Sequence, residues 1–457
     1  MTGRQSKSVP VVDAARGTAF DVLRAVDERD AYANLVLPNL LRERGLTGRD
    51  AALATELAYG TLRGRGTYDA ILSTNLDRDL SELDPPVIDA LRLGAHQILS
   101  TRIPPHAAVS TTVDLTRARI GEGPGKLVNA VLRRVSAQDL DAWVDTIAPA
   151  SSTEPVERLG LRHSHPAWVV RAMLDSLGGD VDELDRALAA DNERPEVTLV
   201  ARPGRAEVAE LLQAGARPGR WSPYAAVLTE GDPADLAAVR ERRAGIQDEG
   251  SQLVALALAA VPLTGSDERW LDMCAGPGGK AALLGGLATG RGARLLAVER
   301  QAHRARMVEM ALRDDPGGHR VLVADSTEPI PAEPAFDRVL LDAPCTGLGA
   351  LRRRPEARWR RQPGEVAGLR SLQVRLLRAA TDAVRPGGVV AYATCSPHLA
   401  ETATVVTDVL RDRADVEQLD ARSYLPGVPD VGAGPDVQLW PHRHGTDGMY
   451  LALLRRT

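Results

Sequence analysis

Two of the chain's three cysteines stand where a reactive thiol would meet a substrate. Cys345 follows a predicted strand that ends at Asp342, and Cys395 follows another predicted strand within the segment Tyr392–Ser396. Because the carboxyl ends of parallel strands meet at one edge of a sheet, we expect the two thiols to lie side by side. A thiolate is a strong nucleophile, so the pair predicts covalent catalysis. A cysteine taken alone is more often a small buried apolar side chain, and Cys274, after an earlier strand, is better explained by packing or by a place next to a ligand.

A glycine-rich turn follows the first strand of this region, which ends near Asp272. The turn reads Cys-Ala-Gly-Pro-Gly-Gly-Lys over residues 274–280, and glycines let the backbone approach a ligand closely. It departs from the GxGxxG pattern, which disfavours a nicotinamide-dependent oxidoreductase. Lys280 is followed by Ala281 and not by Ser or Thr, which disfavours an ATP-binding loop. A tight turn without a ligand is the alternative interpretation.

Carboxylates end the neighbouring strands. Glu299 ends the second strand, where a carboxylate can accept hydrogen bonds from both ribose hydroxyls of an adenosine ligand. Asp325 ends the third strand, where its side chain can contact an adenine edge, and Asp342 ends the fourth. A surface ion pair between Glu299 and the adjacent Arg300 is the alternative for the first of these carboxylates.

An arginine-rich segment comes directly after Cys345. Residues Leu351–Arg361 contain six arginines, one glutamate and Trp359. A solvated charge run is the usual explanation for such a segment. Its position beside a candidate reactive cysteine instead suits contacts with nucleic-acid phosphates next to a reacting base. The candidate residues for such contacts are Arg352, Arg353, Arg354, Arg358 and Trp359.

The elements that must position these residues change along the chain. Residues 9–136 are predicted to be helical throughout, 137–165 to be a linker, and 166–243 to form a small α+β segment. From Glu249 onward strands alternate with helices, which predicts a doubly wound, mostly parallel sheet. The predicted strands are Arg269–Met273, Ala293–Val298, Arg320–Ala324, Arg338–Leu341, Val389–Ala393 and Met449–Leu454. The predicted domains are 1–140, 141–243 and 244–457.

Composition limits the possible functions. The 457 residues contain 56 basic and 61 acidic side chains, a net charge of −5, so any nucleic acid must be met by local patches. Three widely spaced cysteines exclude a disulfide framework and show no zinc-ligand spacing, so no metal is expected. The polar stretch Met1–Asp13 lacks a signal-peptide core, and the longest apolar run, Leu253–Leu263, is too short to span a bilayer. We therefore expect a cytoplasmic protein without a membrane partner.

These motifs together resemble the RNA cytosine-5 methyltransferases of the Fmu/Sun/Nol1/Nop2 group. The blocks that carry the resemblance appear in the family's order: CAGPGGK (274–280), LLDAPCTGLG (340–349), LRRRPEARW (351–359), YATCS (392–396) and GTDGMY (445–450). The N-terminal third is similar to the NusB-type helical domain of the bacterial 16S rRNA member, most clearly at residues 101–108 and 126–134. The resemblance covers nearly the whole chain and is weakest over about 140–240.

The resemblance implies a Rossmann-like α/β methyltransferase domain, an all-α NusB-like RNA-binding domain before it, and a small α+β segment between them. It implies S-adenosylmethionine as the cofactor, Cys395 as the nucleophile and Cys345 as the group that helps to release the product. Asp342 and Lys280 complete the candidate catalytic set. The candidate cofactor-binding residues are Cys274, Ala275, Gly276, Pro277, Gly278, Gly279, Lys280, Glu299, Asp325 and Asp342. The family more often has Asp at Glu299, Ser-Gly-Thr at residues 346–348 and an aromatic pair at residues 449–450.

The chemistry of the residues agrees with this expectation. Carbon 5 of cytosine is a poor nucleophile until a thiolate adds to carbon 6, and a carboxyl group near ring nitrogen 3, here Asp342, would stabilise the adduct. The base must leave its stack, which favours looped or single-stranded RNA. The expected substrate is 16S rRNA. The alternatives are a tRNA cytosine-5 methyltransferase, which the NusB-like domain disfavours, and a non-catalytic RNA-binding assembly factor, which the two cysteines disfavour.

Overall fold

The computed structural model describes residues 13–330 and 335–457, and the chain forms two compact units. The first comprises residues up to Leu174 together with Asp180–Asn192 and Arg353–Arg360. The second comprises Asp175–Gly179, Glu193–Arg352 and Arg361–Thr457. Residues 1–12, over which no signal peptide was expected, lie outside the described residues.

The first unit is helical. Asp13 caps α1 by accepting a hydrogen bond from the Arg16 amide at 2.9 Å, and Pro85 opens α5, where a missing amide hydrogen is harmless. Apolar residues at helical spacing, among them Leu57, Leu91 and Leu132, form its core. Its helices are α1 Ala14–Arg29, α2 Ala33–Glu43, α3 Gly48–Arg63, α4 Arg65–Thr74, α5 Pro85–Ser100, α6 Pro105–Arg119, α7 Glu122–Val135, α8 Leu140–Ile147, α9 Pro155–His163, α10 Ala167–Ser176 and α11 Val181–Ala190.

The stretch between the two predicted main domains differs from expectation. Residues 137–165, expected as a linker, carry α8 and α9, whose buried Trp143 packs into the helical core. The first two helices of the expected α+β segment, α10 and α11, lie largely with the first unit, and its later helices and its strands lie with the second. The division at 140 and 243 therefore differs from the two observed units. Apolar contacts decide the partition, and the polar, proline-containing turns near 149–155 only connect helices.

A small antiparallel sheet begins the second unit. Its strands have the order β2-β3-β1-β4, and Leu199 and Ala226 pair across its centre. Its elements are β1 Val197–Ala201, α12 Val208–Gln213, β2 Ala216–Pro218, β3 Ala225–Leu228, α13 Ala237–Arg240 and β4 Ala244–Ile246.

The large sheet of the second unit is Rossmann-like, as predicted. Along the sheet the order is β10-β12-β9-β8-β5-β6-β7. The five strands from β5 to β9 are parallel, and the last strand runs antiparallel to its neighbours. Helices cover both faces. Its elements are α14 Glu249–Ala260, β5 Arg269–Asp272, α15 Gly279–Thr289, β6 Arg294–Glu299, α16 Ala302–Leu312, β7 Arg320–Val323, β8 Phe336–Asp342, α17 Ala357–Arg360, α18 Glu365–Ala383, β9 Val384–Thr394, α19 Ala403–Arg411, β10 Val416–Leu419, β11 Val437–Gln438, α20 Pro441–His444 and β12 Tyr450–Arg456, of which α17 belongs to the helical unit.

The register of the central strands brings the candidate residues together. Asp342 at the end of β8 pairs with Ala393 near the end of β9, and Asp272 at the end of β5 pairs with Leu340. The segments that carry Cys345 and Cys395 therefore leave neighbouring strands at the same sheet edge. Within the described residues, no helix combines the length and apolarity needed to cross a membrane.

Candidate active site

The glycine-rich turn joins β5 to α15 with no room for larger side chains. Gly278 adopts φ +110°, a conformation that L-residues other than glycine rarely adopt. A β-carbon at this position would lie 2.8 Å from the Ala311 Cβ and 3.1 Å from the Val308 Cα on α16. The backbone of the turn is therefore fixed by close packing as well as by its conformation.

Glu299 ties this turn to the next strand. Its carboxylate accepts hydrogen bonds from the Gly276 amide at 3.1 Å and from the Gln301 amide at 2.9 Å. Arg304, which the sequence analysis did not single out, donates to the Gly276 carbonyl and lies 3.8 Å from the Glu299 carboxylate. The ion pair considered between Glu299 and Arg300 is absent from the described contacts, because Arg300 lies 3.8 Å from Asp325 instead.

Asp325 lies at the end of the neighbouring edge strand, with its side chain 44% exposed. It accepts hydrogen bonds from the Thr327 amide at 3.0 Å and from the Thr327 hydroxyl at 2.8 Å. These bonds lower the pKa of Asp325, so that it is a carboxylate at neutral pH. An exposed, oriented acceptor at this position suits the polar edge of a bound base.

An ion pair links α15 to the end of β8. The Lys280 ammonium lies 2.7 Å from the Asp342 carboxylate. Burial disfavours the charged form of Lys280, but the charge and hydrogen bond of Asp342 outweigh this and raise its pKa. Asp272 lies nearby and is 1% exposed, and burial together with the negative charge of Asp342 raises its pKa to about 7.

Unpartnered polar atoms mark a place for a polar ligand beside this turn. The Oδ1 atom of Asp272 and both amide atoms of the Gln247 side chain are buried without a hydrogen-bond partner. The Gln247 amide carbon lies 3.9 Å from where a β-carbon of Gly279 would be. Buried polar groups normally have partners, so these atoms fit a ligand that offers both donors and acceptors, as the amino-acid part of S-adenosylmethionine does.

Neither Gln247 nor Asp272 was among the predicted site residues. Asp272 could have been found from its place as the last residue of the strand before the turn. Gln247 lies more than 20 residues earlier, after β4, and no spacing rule connects it to the turn. The described residues contain no group of His, Cys, Asp and Glu side chains suited to a metal ion.

The two predicted reactive thiols lie next to each other. The sulfur atoms of Cys345 and Cys395 are 3.4 Å apart, and both side chains are half-buried. A hydrogen bond from the Cys345 thiol lowers the pKa of Cys395, and the Lys280 ammonium favours the same ionisation, while burial, Asp342 and Asp447 oppose it. The pKa of Cys345 is raised well above its usual value by the shared hydrogen bond and by burial. Of the two thiols, Cys395 is therefore the one that ionises more readily.

Cys274 behaves differently from this pair. It packs against the apolar side chains of the central sheet, and burial raises the pKa of its thiol. The neighbouring carboxylates act in the same direction. It is therefore a packed thiol beside the turn and not a second nucleophile.

The C-terminal motif closes against the cysteine loops. The Gly349 amide donates to the Cys395 carbonyl at 2.9 Å, and the Gly448 amide donates to the Gly349 carbonyl at 2.7 Å. A β-carbon on Gly349 would lie only 1.9 Å from the Gly448 carbonyl oxygen. Glycine is therefore required where the backbone after Cys345 meets the segment Gly445–Tyr450.

The structure corrects the expectation that Arg352 contacts RNA. Its side chain is 8% exposed and lies 3.0 Å from the Asp447 carboxylate and 3.3 Å from that of Asp248. It also donates to the Gly445 carbonyl at 2.7 Å. With its donors committed to the protein, Arg352 orders the C-terminal motif and is not free to bind a phosphate.

The expectation for Arg358 is corrected as well. Its side chain is fully buried in the helical unit, where it donates to Asn192 Oδ1 at 2.7 Å and to the Asp191 carbonyl at 2.8 Å. Trp359 lies against Gly66, where a β-carbon would come within 2.2 Å of the indole ring, so Trp359 is not an open stacking platform. Arg354 is exposed, with its guanidinium 4.9 Å from the centre of the Tyr32 ring. Arg354 and the partly exposed Arg353 therefore stay candidates for phosphate contacts.

Comparisons with known proteins agree with this geometry. Residues 260–455 match the family model described as 16S rRNA methyltransferase RsmB/F, and residues 13–137 match that of the NusB family. The chain is 53% identical over 447 residues to a Mycobacterium tuberculosis protein named "Putative methyltransferase", with 97% of each chain covered. It is 30% identical over 458 residues to the probable ribosomal RNA small subunit methyltransferase B of Bacillus subtilis, covering 97% of this chain and 99% of that one.

The chain belongs to the RsmB/F family of RNA methyltransferases. The crystal structure of the protein PH0851 has the same fold, with a TM-score of 0.79, 22% identity and 99% of this chain covered. The family assignment covers both the NusB-like helices and the Rossmann-like sheet. The RsmB/F match also spans the turn, both cysteines and the C-terminal motif.

Proposed function

We propose that this RsmB/F protein transfers a methyl group from S-adenosylmethionine to carbon 5 of a cytosine in 16S rRNA, through a covalent adduct with Cys395. One observation carries the proposal: two thiols lie 3.4 Å apart just after the ends of adjacent strands, in a site that also holds a half-buried lysine–aspartate pair. The substrate class is supported by relatives named ribosomal RNA small subunit methyltransferase B.

The residues around the glycine-rich turn would hold the cofactor. Glu299 and Asp325 offer acceptors at successive strand ends, and Asp272 and Gln247 offer the unpartnered polar atoms. The turn residues 274–280 supply the close backbone, with Asp342 at the neighbouring strand end. When bound, S-adenosylmethionine supplies an electrophilic methyl group beside the reacting base.

The two cysteines have different roles in the proposed reaction. The Cys395 thiolate forms a bond to carbon 6, and the electron pair of the carbon 5–carbon 6 double bond moves towards nitrogen 3. Nitrogen 3 takes up a proton from solvent and returns it when carbon 5 is methylated. Asp342, held by Lys280, stabilises the adduct near nitrogen 3. After methylation, carbon 5 loses its proton to solvent and the electron pair expels the Cys395 thiolate. The Cys345 thiol helps this last step by donating a hydrogen bond to the departing sulfur.

The helical unit is the proposed RNA-binding part. Lys126 and Arg133 lie exposed on α7, where they offer local positive charge on a chain whose net charge is negative. The reacting cytosine must be unstacked to reach Cys395, so a loop or single-stranded segment is the expected target.

The decisive experiment separates the two cysteines. The protein is incubated with labelled S-adenosylmethionine and small-subunit rRNA, and the digest is examined for 5-methylcytosine, with tRNA as the parallel substrate. Cys395→Ala should give neither product nor covalent complex. Cys345→Ala should accumulate a protein–RNA band on a denaturing gel, because the adduct forms but is released slowly.

Other outcomes point elsewhere. A band for Cys395→Ala alone would exchange the two roles. Methylation of tRNA in place of rRNA would change the substrate. Full activity of both single variants would refute the thiol mechanism, and RNA binding without any methylation would indicate an assembly factor.

A further inference from the structure

A glutamate without a role in the scheme above lies under both cysteine loops. Glu401 ends a short 3-10 turn, Leu399–Glu401, six residues after Cys395, and its side chain is fully buried. We propose that Glu401 is a positioning residue that fixes the loop after Cys345 against the loop after Cys395, so that the two sulfur atoms stay at hydrogen-bonding distance. The inference rests on the proposed function, because it concerns how the same two thiols act.

The carboxylate of Glu401 joins the residues that directly follow the two cysteines. Thr346, next to Cys345, donates its amide to Oε1 at 2.8 Å and its hydroxyl to Oε2. Ser396, next to Cys395, donates its hydroxyl to Oε2 at 2.7 Å. The two hydroxyl oxygens are themselves 3.1 Å apart. One carboxylate therefore sets the separation of both loops at the positions adjacent to the sulfur atoms.

Two further contacts hold Glu401, one to its carboxylate and one to its main-chain carbonyl. The Gln373 amide on α18 donates to Glu401 Oε1 at 3.2 Å and to the Pro344 carbonyl at 2.8 Å. The Tyr392 hydroxyl on β9 donates to the Glu401 carbonyl at 2.7 Å. Together with the Thr346 amide, the Thr346 hydroxyl and the Ser396 hydroxyl, the Gln373 amide gives the two carboxylate oxygens four donors. Because a buried carboxylate is costly without hydrogen bonds, these donors determine where the Glu401 side chain lies.

The charge of Glu401 favours the division of labour between the thiols. Its negative charge is one of the causes that raise the pKa of Cys345, whereas the Lys280 ammonium favours ionisation of Cys395. Both effects favour the arrangement in which Cys345 keeps its proton and Cys395 is the thiol that ionises. Cys345 is also faced by Asp342, and Cys395 by Asp342 and Asp447, and these carboxylates oppose ionisation of both thiols.

The test uses thiol reactivity, which needs neither RNA nor cofactor. The full-length protein is treated with limiting iodoacetamide across a range of pH, and alkylation at Cys395 and Cys345 is quantified by peptide mass spectrometry. In the wild type Cys395 should react first. Glu401→Gln keeps the volume but removes the charge and one acceptor, so the preference for Cys395 should fall at least about tenfold. Methylation of rRNA should fall by a similar factor.

A matched control removes the carboxylate of an exposed surface ion pair. Glu241 pairs with Arg243 at 2.8 Å and is 58% exposed, so Glu241→Gln should leave the preference and the methylation rate within about twofold of the wild type. A merely structural role for Glu401 would lower the melting temperature and leave the thiol preference unchanged, which would overturn the proposal. If Glu401→Gln does not fold, Thr346→Val with Ser396→Ala decides, and an unchanged preference there also overturns it.

The outcomes separate this proposal from the proposed function. If the wild type makes no 5-methylcytosine but its thiol preference depends on Glu401, the assigned reaction is wrong and the positioning role stands. If the wild type methylates rRNA and Glu401→Gln matches it in both assays, the positioning role is wrong and the assigned reaction stands.

Discussion

Arg358 offers a direct choice between a structural role and an RNA contact. Its guanidinium makes two short hydrogen bonds, to Asn192 Oδ1 at 2.7 Å and to the Asp191 carbonyl at 2.8 Å. Three longer ones reach the carbonyls of Arg63, His163 and Ser164 at 3.3–3.4 Å. Burial lowers the pKa of Arg358 to about 10, which still leaves it charged at neutral pH.

The expected loss of stability follows from the two short bonds. A hydrogen bond from a charged donor contributes about 1.5–3 kcal/mol, so Arg358→Ala should destabilise the helical unit by about 3–6 kcal/mol. For a unit of this size, 1 kcal/mol shifts the melting temperature by about 2–4 °C, so calorimetry should show a fall of at least about 6 °C. Arg358→Lys should not restore it, because one ammonium cannot reproduce the planar fork that reaches Asn192 and the carbonyls on either side.

The matched control is Arg354→Ala. Arg354 is exposed over the Tyr32 ring, so its loss should cost no more than about 1 kcal/mol. If Arg354 contacts a phosphate, its removal should flatten the log–log salt dependence of RNA binding by about one unit. A flatter salt dependence for Arg358→Ala, with an unchanged melting temperature, would refute the structural role of Arg358.

Three further results are expected. Gly278→Val should abolish S-adenosylmethionine binding in calorimetry, because the added atoms collide with α16. The control Gly290→Ala should bind normally, because Gly290 has φ −61° and an added β-carbon would meet no atom closer than 3.6 Å. Equal affinity in a folded Gly278→Val would place the cofactor elsewhere. Lys280→Met should raise the midpoint pH of Cys395 alkylation, since a cation that favours the thiolate is lost; an unshifted profile would contradict this. Asp272 has a pKa of about 7 when folded and about 3.9 when unfolded, so the folded state binds more protons between these values and its stability falls as pH rises. Asp272→Asn should remove that fall in urea titrations at pH 4 to 7, and an unchanged slope would argue against the raised pKa.

The sheet and the meeting of the two cysteines were predictable from the sequence. Parallel strands place their carboxyl ends at one edge, so a reactive residue shortly after each of two neighbouring strands must come close to its counterpart. Alternating strands and helices predicted the parallel arrangement but not the strand order, and the register of β8 against β9 leaves little freedom for Cys345 and Cys395.

Whether each arginine of the arginine-rich segment is buried or exposed could not be predicted in the same way. A run of positively charged residues has the same sequence pattern whether its side chains face solvent, a phosphate or buried carbonyl groups. Arg358 is buried because Asp191 and Asn192, more than 160 residues earlier, present their acceptors to it. Glu401 was missed for a related reason, since a single glutamate after a turn is typical of a solvated surface. Only the tertiary structure shows the donors that surround it.

The eight residues Arg353–Arg360 determine when the helical unit can complete its folding during synthesis. They complete the helical unit, yet they are translated after the first four of the eight strands of the large sheet. The buried acceptors on Asp191 and Asn192 therefore stay without their guanidinium until residue 358 has left the ribosome. The N-terminal helices form a nascent intermediate whose final stabilisation waits for roughly the last quarter of synthesis. A fragment ending at residue 192 reproduces that intermediate and should melt below the same unit in the full chain.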